Sequence, residues 1–168
     1  ARGSADFGEG PFARVTMTVT LGTTCFPFES WQSNPPPEGH NFPANCDAFD
    51  RNFEVTIDHP ENEDDPPAVE LVRAITPFGG PMECDIDVTD FANGRPGEHE
   101  VQMRITTWSD GSGQVTGADG GWNVSLRFEV EPGPAPRNVL GILPLFNGNH
   151  RSDTAPTSFT FETPPGTT

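Results

Sequence analysis

The sequence predicts an all-β chain, an antiparallel sandwich of about eight short strands. Three observations carry that expectation. The 168 residues hold 19 prolines and 18 glycines, which favour turns over helices. No long window shows the i, i+3, i+4, i+7 apolar spacing of an amphipathic helix. Several stretches alternate apolar and polar residues at turn-separated intervals, as the strands of a sandwich do.

Taken in order, residues 1–11 are small, polar and glycine-rich, and read as a flexible N-terminal segment. From Phe12 to Leu21, Val15, Met17, Val19 and Leu21 alternate with Arg14, Thr16, Thr18 and Thr20, the pattern of a half-buried strand. A long loop follows over 26–45, with Pro35-Pro36-Pro37, Trp31 and His40. Its aromatics, Phe26, Phe28, Trp31 and Phe42, offer either a ligand platform or a cover for the core edge. Phe53 to Ile57 is a strand, ending in an acidic run from Asp58 to Asp65 that reads as a solvated hairpin tip; its oxygens lack the ordered spacing of a calcium loop. Val69 to Ile75 returns. Cys84 to Val88 is the next strand, and Thr89-Asp90-Phe91 suits a short capped turn. Glu98 to Trp108 alternates with His99, Val101, Met103 and Ile105 on one face. The glycine-rich loop 109–121, with Asp110 and Asp119 as a weaker calcium candidate, leads to a strand from Trp122 to Val130. Arg137 to Phe146 suits an edge strand because it is apolar and ends near Pro144. Ser158 to Glu162 reads as a last short strand.

The composition narrows the partners. A net charge of −16 arises from 25 acidic residues against nine basic ones, all arginine. Such a chain repels phosphate backbones, which argues against nucleic acid. No apolar run approaches the ~20 residues of a membrane-spanning helix. No leader sequence stands at Ala1. Of three cysteines, Cys25 and Cys46 flank the proline-rich loop as a loop-closing disulfide would, and a closed loop of about 20 residues stabilises by about 3 kcal/mol. A disulfide implies an oxidising compartment, hence a secreted, periplasmic or cell-surface protein. Cys84 is left as a free thiol that alternates inward with Ile86 and Val88. His40, His59, His99 and His150 show no paired spacing, so neither copper nor any other metal or cofactor is expected. Asn123-Val124-Ser125 fits a glycosylation sequon within an expected strand, a chance match.

Four segments in order carry a resemblance. Asn45-Cys46-Asp47-Ala48-Phe49-Asp50-Arg51, Arg73-Ala74-Ile75-Thr76-Pro77-Phe78, Ile86-Asp87-Val88-Thr89-Asp90-Phe91 and Thr106-Thr107-Trp108 with the strand after it resemble the first jelly roll of the peptide-N-glycosidase F family. The resemblance implies an eight-stranded jelly roll over 12–150, with 151–168 as a tail or the opening of a second jelly roll. It implies that Cys25 pairs with Cys46. It implies an activity, removal of N-glycans at the asparagine amide without a metal, and a glycan or glycoprotein as partner. It places Asp50 at the family's catalytic aspartate, with Arg51 beside it and Trp108 near the sugar; Trp31 and Thr106 complete the candidate binding set. Thr106 stands where the family has a second glutamate, and a threonine does not exchange a proton in the same way. Phe49 replaces a tryptophan. The family's third carboxylate belongs to the second jelly roll, which these residues do not include. The resulting expectation is a non-catalytic module with a glycan-binding, protein-binding or structural role; the alternative is the first half of a glycan amidase. A carboxylate beside an arginine also has a plain reading, an Asp50–Arg51 ion pair at a strand entrance worth about 0–1 kcal/mol.

Overall fold

The computed structural model describes residues 1–22, 25, 31–62, 65, 67–143 and 160–166. They form seven strands and one short helix: β1 (Arg2–Asp6), β2 (Phe12–Gly22), β3 (Asn52–Ile57), β4 (Val69–Ile75), β5 (Met82–Asp87), α1 (Thr89–Gly94), β6 (Glu98–Ile105) and β7 (Asn123–Pro132). The strands make two antiparallel sheets, ordered β1-β6-β3-β4 and β5-β2-β7. Only β3 and β4 pair as consecutive neighbours; every other pairing crosses over, so the fold is held by contacts distant in sequence.

The alternations seen in the sequence become the core. Val15, Met17, Val19 and Leu21 of β2 are fully buried, facing Phe53, Val55 and Ile57 of β3 and Val101 and Met103 of β6 across one apolar cluster. Burying such side chains stabilises by about 1.5–3 kcal/mol each, the main favourable term of the fold. The outward threonines of β2 donate to the acidic strand beside them: Thr18 Oγ1 to Asp85 at 2.7 Å and Thr20 Oγ1 to Glu83 at 3.3 Å.

Four expectations change. Residues 2–6, read as flexible, form β1 along β6, from Arg2 opposite Gln102 to Asp6 opposite Glu98. Their side chains carry no strand signal; the exposed hydrogen-bonding edge of β6 recruits the backbone, and Phe7 anchors it with its ring edge-on to Phe91 and Phe128. Residues 137–143 are not a strand. Val139 and Ile142 instead lie over Gly94 of α1, where a Cβ would stand 2.8 Å and 2.9 Å from them. Residues 160–162 are exposed and outside any strand, while 158 and 159, like 144–150, fall outside the described residues. Strand β6 stops at Ile105, three residues before Trp108, because its partner β3 begins at Asn52 and the last link is Thr106 N–H to the Asn52 carbonyl at 3.1 Å.

Thr89 starts α1 and joins it to the sheet: its hydroxyl accepts the Val15 N–H at 2.9 Å and donates to Asp87. Those hydrogen bonds from Thr89 hold the Asp87 carboxyl below the usual carboxylate range. Cys84 is free and half-buried on β5; burial, helped by neighbouring Asp85, pushes its thiol up, so it is a weak nucleophile.

Candidate functional site

One end of the sandwich is assembled from three loops: 31–51 before β3, 76–80 after β4, and 106–122 between β6 and β7. The sequence gives these loops little apolar content, so covalent and polar links hold them. The Cys25–Cys46 disulfide, with both cysteines fully buried, closes the first loop. Gly79, at φ 59, packs on it, and a Cβ there would stand 2.9 Å from Ala48 Cα and 3.0 Å from Cys25 Cβ. Gly117 lies against the Pro43 and Ala44 carbonyls and donates its N–H to the Cys46 carbonyl at 2.8 Å.

At the centre is a residue the sequence reading passed over. Asp47 is 1 % exposed, and its carboxylate collects donors from all sides. The Arg51 fork grips it through Nε at 2.9 and 3.1 Å and Nη2 at 2.9 Å. The Trp122 indole N–H donates to it at 3.3 Å, the Thr116 hydroxyl stands 3.4 Å away, and the Phe49 N–H closes the turn at 3.4 Å. A buried charge persists only when paired and hydrogen-bonded, and this one is both. The signal was present as Asp-x-x-x-Arg spacing, but Asp50, adjacent to Arg51, drew the pairing.

Arg51 therefore pairs with Asp47 and not with Asp50, which corrects the expected adjacent ion pair. Consecutive residues in an extended segment point apart, whereas the turn at 47–50 brings position 47 back onto the guanidinium. Arg51 does more than neutralise. Its Nη2 also donates to the Trp108 carbonyl at 3.1 Å, and its guanidinium carbon stands 5.2 Å from the Phe49 ring centroid. Its backbone is tied to the 76–80 turn through Arg51 N–H to Thr76 Oγ1 at 2.8 Å and Thr76 N–H to the Arg51 carbonyl at 2.7 Å.

The remaining candidates fall around this hub. Trp108 is 55 % exposed although its backbone is pinned, so a flat aromatic surface is offered to solvent from a fixed base. Asp50 and Thr106 are exposed at the same end, and no described residue holds the Asp50 carboxylate in a hydrogen bond or ion pair. Trp31 is half-buried. Its indole donates to the Cys25 carbonyl at 3.1 Å, and its ring meets Phe42, which meets Phe49. Of the loop aromatics, Trp31 and Phe42 thus fold down over the disulfide; Phe26 and Phe28 lie outside the described residues. Phe78, 64 % exposed on the 76–80 turn, is an apolar surface residue that sequence reasoning did not select.

The opposite end of β3 holds a second polar cluster. Asp58, expected in a solvated tip, adopts φ 54 and turns its carboxylate to His99 Nδ1 at 2.9 Å, with Arg95 at 3.4 Å. His99, on the same face of β6 as Val101 and Met103, is 8 % exposed among Phe7 and Phe91, and its Nε2 meets the Arg95 carbonyl at 2.8 Å. Both ring nitrogens are occupied, so this pair is structural. Among the described residues no group of histidines, cysteines and carboxylates is arranged to hold a metal ion.

No protein-family model and no curated protein matches the sequence. Two solved structures share the fold: a peptide-N(4)-(N-acetyl-β-D-glucosaminyl)asparagine amidase, and PNGase F, a glycosylasparaginase from Flavobacterium meningosepticum. Each aligns with a TM-score of 0.53 at 21 % identity over 81 % of this chain. The chain spans 36 % of the length of those proteins. The likeness is one of fold: an antiparallel β-sandwich of the PNGase F kind.

Proposed function

We propose that this chain is a non-catalytic extracellular module that binds saccharide at the Asp47 end of the sandwich. The single observation that carries the reading is the exposed Trp108, fixed through its carbonyl by Arg51. Sugar rings present apolar C–H faces beside hydroxyls, and a pinned aromatic next to polar groups is suited to them. Asp50 and Thr106 supply exposed oxygen ligands at the same end. The amidase identity of the structural neighbours agrees with a glycan partner. The disulfide suits an oxidising exterior, and among the described residues no helix is long and apolar enough to cross a membrane.

The chemistry of the exposed groups supports the non-catalytic part of the reading. Amide hydrolysis needs groups that take and give protons in turn. At this surface Asp47 is sealed by its donors, Thr106 is neutral, and Asp50 has no second carboxylate or other partner beside it among the described residues. That same unpartnered Asp50 favours the second reading, the first half of a glycan amidase completed by a further domain.

Incubating the purified chain with an N-glycopeptide separates the readings. No released glycan, together with glycan-array binding lost in Trp108→Ala, is the expected result. Release of glycan that disappears in Asp50→Asn overturns the non-catalytic reading.

A further inference from the structure

Asp47 is buried beneath a surface that it does not reach, yet it contacts a cation of that surface, Arg51. The chain of contacts runs Asp47 carboxylate to Arg51 Nε and Nη2, then Arg51 Nη2 to the Trp108 carbonyl, then to the exposed Trp108 ring. The Arg51 side chain remains 14 % exposed, and its Nη1 has no partner among the described residues. A guanidinium offers five N–H donors in a rigid fork. Here part of that fork is used inward, its charge is compensated at 2.9 Å by Asp47, and the remaining edge faces outward.

We propose that Asp47 is the positioning residue of this site, and that by compensating Arg51 it selects neutral saccharides over anionic ones. This rests on the saccharide-binding reading above and names the ligand class. An uncompensated arginine attracts carboxylates and sulfates bidentately. An arginine already paired with a buried carboxylate is a hydrogen-bond donor with little net field, suited to a hydroxyl or acetamido oxygen. The exposed Asp50 carboxylate at the same end and the chain's net charge of −16 add repulsion for anions. The same contact fixes the aromatic platform, since losing the Asp47 clamp frees Arg51 and with it the Trp108 carbonyl.

The probes are a neutral N-acetylglucosamine disaccharide and a glucuronate-containing disaccharide of the same size, titrated calorimetrically at low and at 1 M salt. At 1 M salt the Debye length shrinks to about 3 Å, which screens the general acidic field but not a contact pair. The expected result is at least tenfold preference for the neutral sugar at both salts. Asp47→Asn, Arg51→Gln and the double variant are each expected to lose neutral-sugar affinity by about the same factor, because Asp47 acts through Arg51. Losses that multiply, or a neutral preference that vanishes at 1 M salt, overturn the proposal. A ligand-free arm covers variants that fail to fold. In the unliganded chain the Arg51 Nε–H is expected as a resolved, slowly exchanging signal in nitrogen–proton NMR, and a fast-exchanging signal overturns the positioning role. If neither sugar binds while that signal is protected, the saccharide reading and the selectivity fail together and the clamp alone stands.

Discussion

Strand β3 enters from one carboxylate–arginine cluster and leaves into another, and the two ends differ in what surrounds the charge. At the entrance Asp47 is sealed, with its side chain 0 % exposed, donors from Arg51 and Trp122, and the Thr116 hydroxyl, which donates to the Cys46 carbonyl, 3.4 Å away. At the exit the Asp58 side chain is 32 % exposed; it pairs with His99 and stands farther from Arg95, on a backbone with positive φ. The entrance cluster joins three loops that lack a core of their own. The exit cluster decorates a core already built by Phe7, Phe91 and Phe128. A polar network therefore carries most where apolar packing is thinnest, and there an exposed aromatic ends up fixed.

The sharpest way to break this contrast is Asp47→Asn. It leaves Arg51 uncompensated in a buried setting, a loss of about 3–5 kcal/mol in chemical denaturation. Asp50→Asn, three positions along and exposed, is expected to change stability by less than about 0.5 kcal/mol. Equal effects at the two positions would end the distinction between hub and surface. At the exit, His99→Ala is expected to cost about 2–3 kcal/mol, from lost ring packing and an Asp58 left with Arg95 alone. A loss at His99 exceeding that at Asp47 reverses the ranking of the two ends.

A small effect confined to one pH window belongs to Asp87, which lies outside both clusters. Thr89 depresses its folded pKa, so its contribution is present above the unfolded carboxylate pKa and is lost as pH falls through the lower folded value. Because the group is exposed, the expected size is below about 1 kcal/mol. Acid titration of stability checks it: Asp87→Asn should lower stability by that amount at neutral pH and shallow the decline below about pH 4, so that variant and parent converge in acid.

Alternation in β2, β3, β6 and β7 was legible because each of these strands has one face on the core, and a period of two then shows in the side chains themselves. The disulfide was legible because two cysteines flank one loop. Strand β1 was not, since its pairing is a property of the β6 edge and not of Arg2-Gly3-Ser4-Ala5-Asp6. Residues 137–143 read as a strand from their apolar content, yet Val139 and Ile142 spend that content on Gly94.

The candidate site divides the same way. The sequence by itself determined the β class, the inward faces, the Cys25–Cys46 link and the stretch 45–51 as a place where charge gathers. Only the tertiary structure decided which carboxylate in that stretch is the hub. Asp47 and Asp50 are chemically identical and three residues apart, and nothing local ranks them. Asp47 is buried because Trp122 and Thr116, about 70 positions away, return from another loop to cover it. Burial and long-range donors are properties of the folded chain, and they turn one aspartate into the pivot of the site and leave the other at its rim.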